Sequence, residues 1–104
     1  MNFDEYQLKA EQTSVFTNEF YPAASLMVES AELADLFVKP MLRGDDEKPG
    51  HREKVISEAG DVLWNLAVLL KRQGIHLSEV AENNITKLED RAKRGVLKGS
   101  GGDR

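Results

Sequence analysis

Cysteine is absent from this chain. That removes disulfides, Fe–S clusters, thiolate zinc sites and thiol nucleophiles together, and it suits a reducing cytoplasm. Long hydrophobic runs are also missing. The longest, Val62 to Leu70, is broken by Asn65 and falls far short of the roughly 20 residues a membrane-spanning helix needs. Met1-Asn2-Phe3-Asp4-Glu5 lacks the basic-then-apolar order of a signal peptide. Positive charge is not in surplus either. The net charge is −4, and no lysine- and arginine-rich stripe is interleaved with aromatics, which argues against nucleic acid as the partner. The expectation is a soluble cytoplasmic protein with neither a membrane nor a nucleic-acid partner.

What remains is ordinary globular material in helical periods. At 104 residues the chain makes one domain with a modest core. Phe3, Tyr6, Gln7 and Ala10 follow helical spacing, and Asp4 and Glu5 suit a helix N-terminus, so a first helix is expected from about Phe3 to Thr13. Thr13 to Tyr21 shows no clear period. Pro22 fits the first turn of a second helix, which should stop at about Val38, before Pro40. Arg43 to Gly50 reads as a loop from its Gly, Asp and Pro content. A third helix should run from about His51 to Gln73, with Gly74 ending it. Ser78 is the expected N-cap of a fourth, which reaches about Arg94, is closed by Gly95 and carries Val80, Ile85 and Leu88 as its apolar stripe. Val62 to Leu70 is apolar nearly all round, so it is either central in its own domain or covered by a partner chain. In a chain this small the partner is favoured. The expected fold is an all-α bundle of four or five helices over residues 1–98, assembled as a dimer or higher oligomer. Residues 99–104 form a tail that is flexible by composition.

Two acidic pairs sit on the central helices, Glu29-x-x-Glu32 and Glu58-x-x-Asp61. Residues three apart are neighbours on a helix surface. At about 100° per residue, Glu29 falls within the arc of Leu26, Leu33, Leu36 and Phe37, and Glu58 among Val55, Val62, Leu66 and Leu69. Most acidic pairs are solvated faces, but these are in phase with the core. Converging carboxylates raise one another's proton affinity, and a multivalent cation with oxygen ligands relieves them. Oxygen-only ligation selects Mg²⁺, Mn²⁺ or Ca²⁺, and Mg²⁺ commonly shares its coordination with substrate phosphates. A di-iron site would need Glu-x-x-His motifs. His51 and His76 lie near helix ends, outside that spacing, and read as surface residues.

A phosphate substrate needs cations. Lys87 and Arg91, spaced i, i+4 with Asn84 one turn before Lys87, are one candidate set. The alternative is a solvated face on which they pair with Glu89 and Asp90. Lys39 and Arg43 are a weaker second set. Asn65, one turn beyond Asp61, contacts either substrate or a neighbouring helix. Trp64 points away from the acids and reads as core or interface.

Taken together, Glu29-x-x-Glu32, Glu58-x-x-Asp61-Val62-Leu63 and Asn84-x-x-Lys87-Leu88-x-x-Arg91 resemble the MazG-like members of the all-α nucleoside triphosphate pyrophosphohydrolases. The likeness runs from about Leu26 to Gly99. Gly95-Val96-Leu97-Lys98-Gly99-Ser100-Gly101 is similar to the ending of small single-domain members, phage-encoded ones included. The combination is specific, whereas one ExxE alone is not. The resemblance implies Mg²⁺-dependent hydrolysis, with Mn²⁺ as a possible substitute, of a (deoxy)nucleoside triphosphate to the monophosphate and pyrophosphate. It implies Glu29, Glu32, Glu58 and Asp61 as metal ligands, Glu32 or Glu58 as general base, and Lys87 and Arg91 on the phosphates with Asn84 nearby. Asn65 and Lys39 complete the candidate substrate contacts. The expected assembly, from the apolar Val62–Leu70 surface, is a homodimer or homotetramer, in a bacterial cytoplasm or in the host's if phage-encoded. Many relatives begin the first motif with two adjacent acids, and here Val28 stands before Glu29, so no extra acid is available at position 28. Phosphoribosyl-ATP pyrophosphohydrolase shares the implied fold and reaction. A helical dimerisation or regulatory module that binds metal only for structure is the non-enzymatic alternative.

Overall fold

The computed structural model describes residues 1–46 and 48–95. They form α1 (Phe3–Gln12), α2 (Phe20–Arg43), α3 (His51–Arg72) and α4 (Leu77–Arg94). Among the described residues there is no strand, and no helix is long and apolar enough to cross a membrane. The fold is all-α, as the helical periods predict. The Gly-rich tail lies outside the described residues.

α3 is the central element, packing against both α2 and α1. Its Ala67 and Val68 are buried with Ala10 of α1 and Leu77 of α4, while Tyr6, Phe16, Leu63, Trp64, Leu66 and Leu70 pack around them. The all-round apolar half of α3 therefore finds much of its cover inside its own chain. α1 starts where Asn2 accepts a hydrogen bond from the Glu5 backbone N–H at 2.8 Å. Its inward side chains are Gln7 and Ala10, whereas Phe3 is 49% exposed.

The aperiodic segment after α1 is tied down by side chains from α3. Phe16 sits against Trp64, with ring centroids 5.6 Å apart, and stacks on Tyr21 at 5.9 Å. The Trp64 indole N–H donates to Thr13 Oγ1 at 2.8 Å. Arg72 donates to the carbonyls of Phe16 and Thr17 and pairs with Glu19 at 3.4 Å. Trp64 is thus a packing residue, as its helical phase implies.

Two boundaries differ from expectation. α2 does not stop before Pro40 but continues through it to Arg43, closed by Gly44 at φ 69°. A proline there forfeits the bond to the carbonyl four residues back and crowds that carbonyl with its ring, a cost the packed helix absorbs. The last turn recovers a capped end, with the Asp45 N–H donating to the Pro40 carbonyl at 2.9 Å and Gly44 to Met41 at 3.3 Å, a left-handed glycine closure. At the other end Pro22 precedes the first helical hydrogen bond, Ala23 N–H to the Glu19 carbonyl, so its missing N–H costs nothing. α4 is capped by His76 and not by Ser78. The His76 side chain takes the Glu79 backbone N–H while the Glu79 carboxylate takes that of His76 at 2.9 Å, a reciprocal cap. Ser78 lies two residues further on, within the first turn, and hydrogen-bonds Asp4 of α1 instead.

Candidate metal centre

α2 and α3 pack against each other more extensively than any other pair of helices among the described residues, and their acids meet at the contact. Glu29 and Glu32 of α2 and Glu58 of α3 each present one carboxylate oxygen, and the three atoms lie within 4.8 Å of one another. Ligands on opposite sides of Mg²⁺ stand about 4.2 Å apart, twice its usual bond to oxygen, so this separation is close to coordinating distance. Glu29 and Glu58 are half-buried, in phase with the half-buried Leu26, Leu33, Val55 and Val62. Glu32 is exposed. Asp61, one turn after Glu58, is exposed and stands outside the three-atom group.

The electrostatics are those of crowded acids. Glu29 is pushed up to about 7 from 4.5, first by burial, then by a hydrogen bond and the charge of Glu32, with Asp61 and Glu58 adding repulsion. Asp61 therefore belongs to the same field even though its oxygens stand apart. It also helps to raise Tyr6 of α1, although burial is the larger cause there. Glu29 Oε2 and Glu58 Oε2 are sealed from solvent and have no hydrogen-bond partner. Buried oxygens without partners are costly. A hard cation would satisfy both at once, so the residues present fit an oxygen-ligated divalent ion.

Asn65 is 3% exposed. Its amide donates to the Asp61 carbonyl at 2.9 Å, within its own helix, and its Oδ1 is buried without a partner. It holds no neighbouring helix, and it leaves an acceptor one turn from the acids.

Beyond Glu32 and Glu58 a cleft of about 400 Å³ opens between the C-terminal half of α2 and the start of α3. Lys39 and Arg43 line it, each with an acid beside it. Lys39 pairs with Asp35 at 3.3 Å and Arg43 with Asp45 at 2.8 Å. Lys48 and Lys54 join them without belonging to any motif. Lys54 is detectable afterwards, because it lies one turn before Glu58 on the same face. His51 also lines the cleft. It is half-buried, its ring edge-on to Phe37 at 5.3 Å, which corrects its reading as a surface residue. Asn84, Lys87 and Arg91 lie elsewhere. They are on α4, which packs chiefly on α1, and they line neither the acid group nor the cleft.

Helical carboxylates converging on one point make this an all-α protein with a candidate metal site. The family follows from the sequence comparison. The profile of the MazG nucleotide pyrophosphohydrolase domain matches residues 20–96, and the chain belongs to that family. It is also similar to the Gene 37 protein of Mycobacterium phage L5, at 33% identity over a 115-residue alignment spanning both chains completely. No solved structure matches the chain significantly.

Proposed function

We propose that the chain is a Mg²⁺-dependent pyrophosphohydrolase that converts a nucleoside or deoxynucleoside triphosphate and water to the monophosphate and pyrophosphate. The observation that carries this reading is the pair of sealed, partnerless oxygens, Glu29 Oε2 and Glu58 Oε2, inside a group of three carboxylates. A bound divalent cation supplies charge neutralisation at the phosphorus under attack. Glu29, Glu32 and Glu58 would hold it, with Asp61 one turn away. Glu32 is the exposed member and borders the cleft, so it is the group placed to accept a proton from the attacking water. The new bond joins water oxygen to the α-phosphorus, the α–β bridge breaks, and pyrophosphate departs. Lys39 contacts substrate from within the cleft. Measuring pyrophosphate release with the eight common NTPs and dNTPs tests the reading. Turnover of at least one is expected with Mg²⁺ and none with EDTA, and silence across the whole panel would refute it.

The working unit is a homodimer or homotetramer in the cytoplasm. A radius of gyration of 16.4 Å is large against the roughly 13 Å of a compact domain this size. Phe20, Met27, Met41 and Leu42 are each more than 70% exposed, which is apolar surface a second copy would cover. A second copy could also bring Asn84, Lys87 and Arg91 to an acid group that they do not reach within one chain. Light scattering at micromolar concentration should return a multiple of 11.6 kDa, and a monomer would refute this assembly.

A further inference from the structure

The cleft is electrically polarised along its length, and its polarity sets a direction for the substrate. Glu32 and Glu58 stand at one end, beside Glu29. Lys39, Arg43, Lys48 and Lys54 line the remainder together with Asp35, His51 and apolar wall residues. Seven residues separate Glu32 from Lys39 along α2, a rise of about 10 Å, and four separate Lys54 from Glu58 along α3, about 6 Å. Cations thus begin within one or two turns of the acids on both walls. Asp35 and Asp45 partly neutralise Lys39 and Arg43. Among the described residues, Lys48 and Lys54 meet no carboxylate at ion-pair distance. Pro40 and Pro49 contribute wall without backbone N–H groups.

A nucleobase has no use for four cations, and a lone metal ion would be repelled by them. A ligand with several negative charges, linked through a cation to the acids, matches both ends. We infer that the cleft between α2 and α3 binds the β- and γ-phosphates of the substrate, and hence the pyrophosphate product, through Lys39, Lys48 and Lys54 with Arg43. The triphosphate tail then points towards the loop joining α2 to α3, and the nucleoside lies on the far side of the acids. This inference rests on the pyrophosphohydrolase reading, but it assigns the leaving group to residues that no motif marks.

The test is calorimetric binding of inorganic pyrophosphate and, separately, of a nucleoside monophosphate to the Mg²⁺-loaded full chain. Parent, Lys39→Ala/Lys48→Ala and Lys39→Arg/Lys48→Arg proteins are compared, with circular dichroism confirming equal helicity. The Ala pair should weaken pyrophosphate binding roughly tenfold or more, the loss expected for charge-assisted contacts. The Arg pair should restore most of it, and monophosphate and Mg²⁺ binding should not change. Unchanged pyrophosphate affinity in the Ala pair, or a loss confined to the monophosphate, overturns the assignment. Because the readout is binding, it separates from the function. A parent that binds pyrophosphate through these lysines yet hydrolyses no triphosphate supports the cleft and refutes the enzyme reading. An active parent whose Ala pair binds pyrophosphate normally does the reverse.

Discussion

Glu58→Gln should lower Mg²⁺-dependent hydrolysis by at least about 100-fold, since even residues that only support metal ligands cost 10–100-fold when changed. The substitution keeps the size and shape of a half-buried side chain on α3 and removes one charge from three oxygens lying within 4.8 Å of one another. In the metal-free protein it should do no harm. Glu58 Oε2 is sealed without a partner, its charge opposes that of Glu29, and an amide in its place can donate where the carboxylate cannot. The variant should therefore melt at or above the parent in EDTA, and it should gain less from added Mg²⁺, because stabilisation by a ligand follows its affinity. Full Mg²⁺-dependent activity in Glu58→Gln would remove Glu58 from the site. A metal-free variant well below the parent in melting temperature would mean that the acids are not repelling one another.

The same crowding fixes a pH window. The native Glu29 carboxyl is raised to about 7 against an ordinary 4.5, so between those values the folded, metal-free protein binds a proton that the unfolded chain has already released. Stability from this group is complete below pH 4.5 and is lost as pH rises through 7. Under the proposed function Mg²⁺ would take the place of that proton, so its affinity should climb over the same range and the alkaline loss of stability should shrink when it is present. In Glu58→Gln the window should persist, because burial and Glu32, the larger causes, remain.

How much of this was legible in the sequence depended on distance along the chain. The phase of Glu29 and Glu58 among apolar neighbours is local information, and it correctly placed both half inside the α2–α3 contact. The same holds for Gly74 and Gly95, both in the left-handed region at or just past a helix end, where their freedom is needed. Pro40 misled because a steric preference of one residue was outweighed by a well-closed final turn. Serine is the commoner cap, which favoured Ser78, whereas His76 caps α4 and Glu79 three residues on completes the reciprocal spacing. The cleft was least legible. It exists only where the end of α2 faces the start of α3, and its cations come from positions 39 to 54 with no shared period. Nor could periodicity foresee that α4 would pack on α1, which leaves Lys87 and Arg91 away from the acids within one chain.

The largest loss of stability is expected from a residue with no part in the chemistry. Gln7 is 2% exposed, and it links three elements. Its amide donates to the Ala67 carbonyl at 3.1 Å and the Ile75 carbonyl at 3.0 Å, while its oxygen accepts from the Leu77 N–H at 3.1 Å. Leu77 opens α4, where a helix N–H has no partner of its own. Gln7→Ala removes all three bonds and leaves polar backbone without partners near the core. At roughly 1–1.5 kcal/mol for each bond, the cost is about 3–5 kcal/mol, a large share of the 5–15 kcal/mol that typically holds a domain folded. The melting temperature should fall by roughly 15 °C or more. Gln7→Met separates packing from hydrogen bonding, because it fills the space without the polar atoms, and it should remain severely destabilised. Asp4 makes bonds of similar length one turn earlier on α1, to the backbone and hydroxyl of Ser78, but in an exposed setting where water competes. Asp4→Ala should therefore cost less than about 1 kcal/mol. Folded Gln7 variants should keep the parent's Mg²⁺ affinity, since the acids lie on the α2–α3 contact and Gln7 serves the junction of α1, α3 and α4. Chemical denaturation of the four proteins at one concentration decides the matter, and a Gln7→Met variant as stable as the parent would show that shape alone holds this junction together.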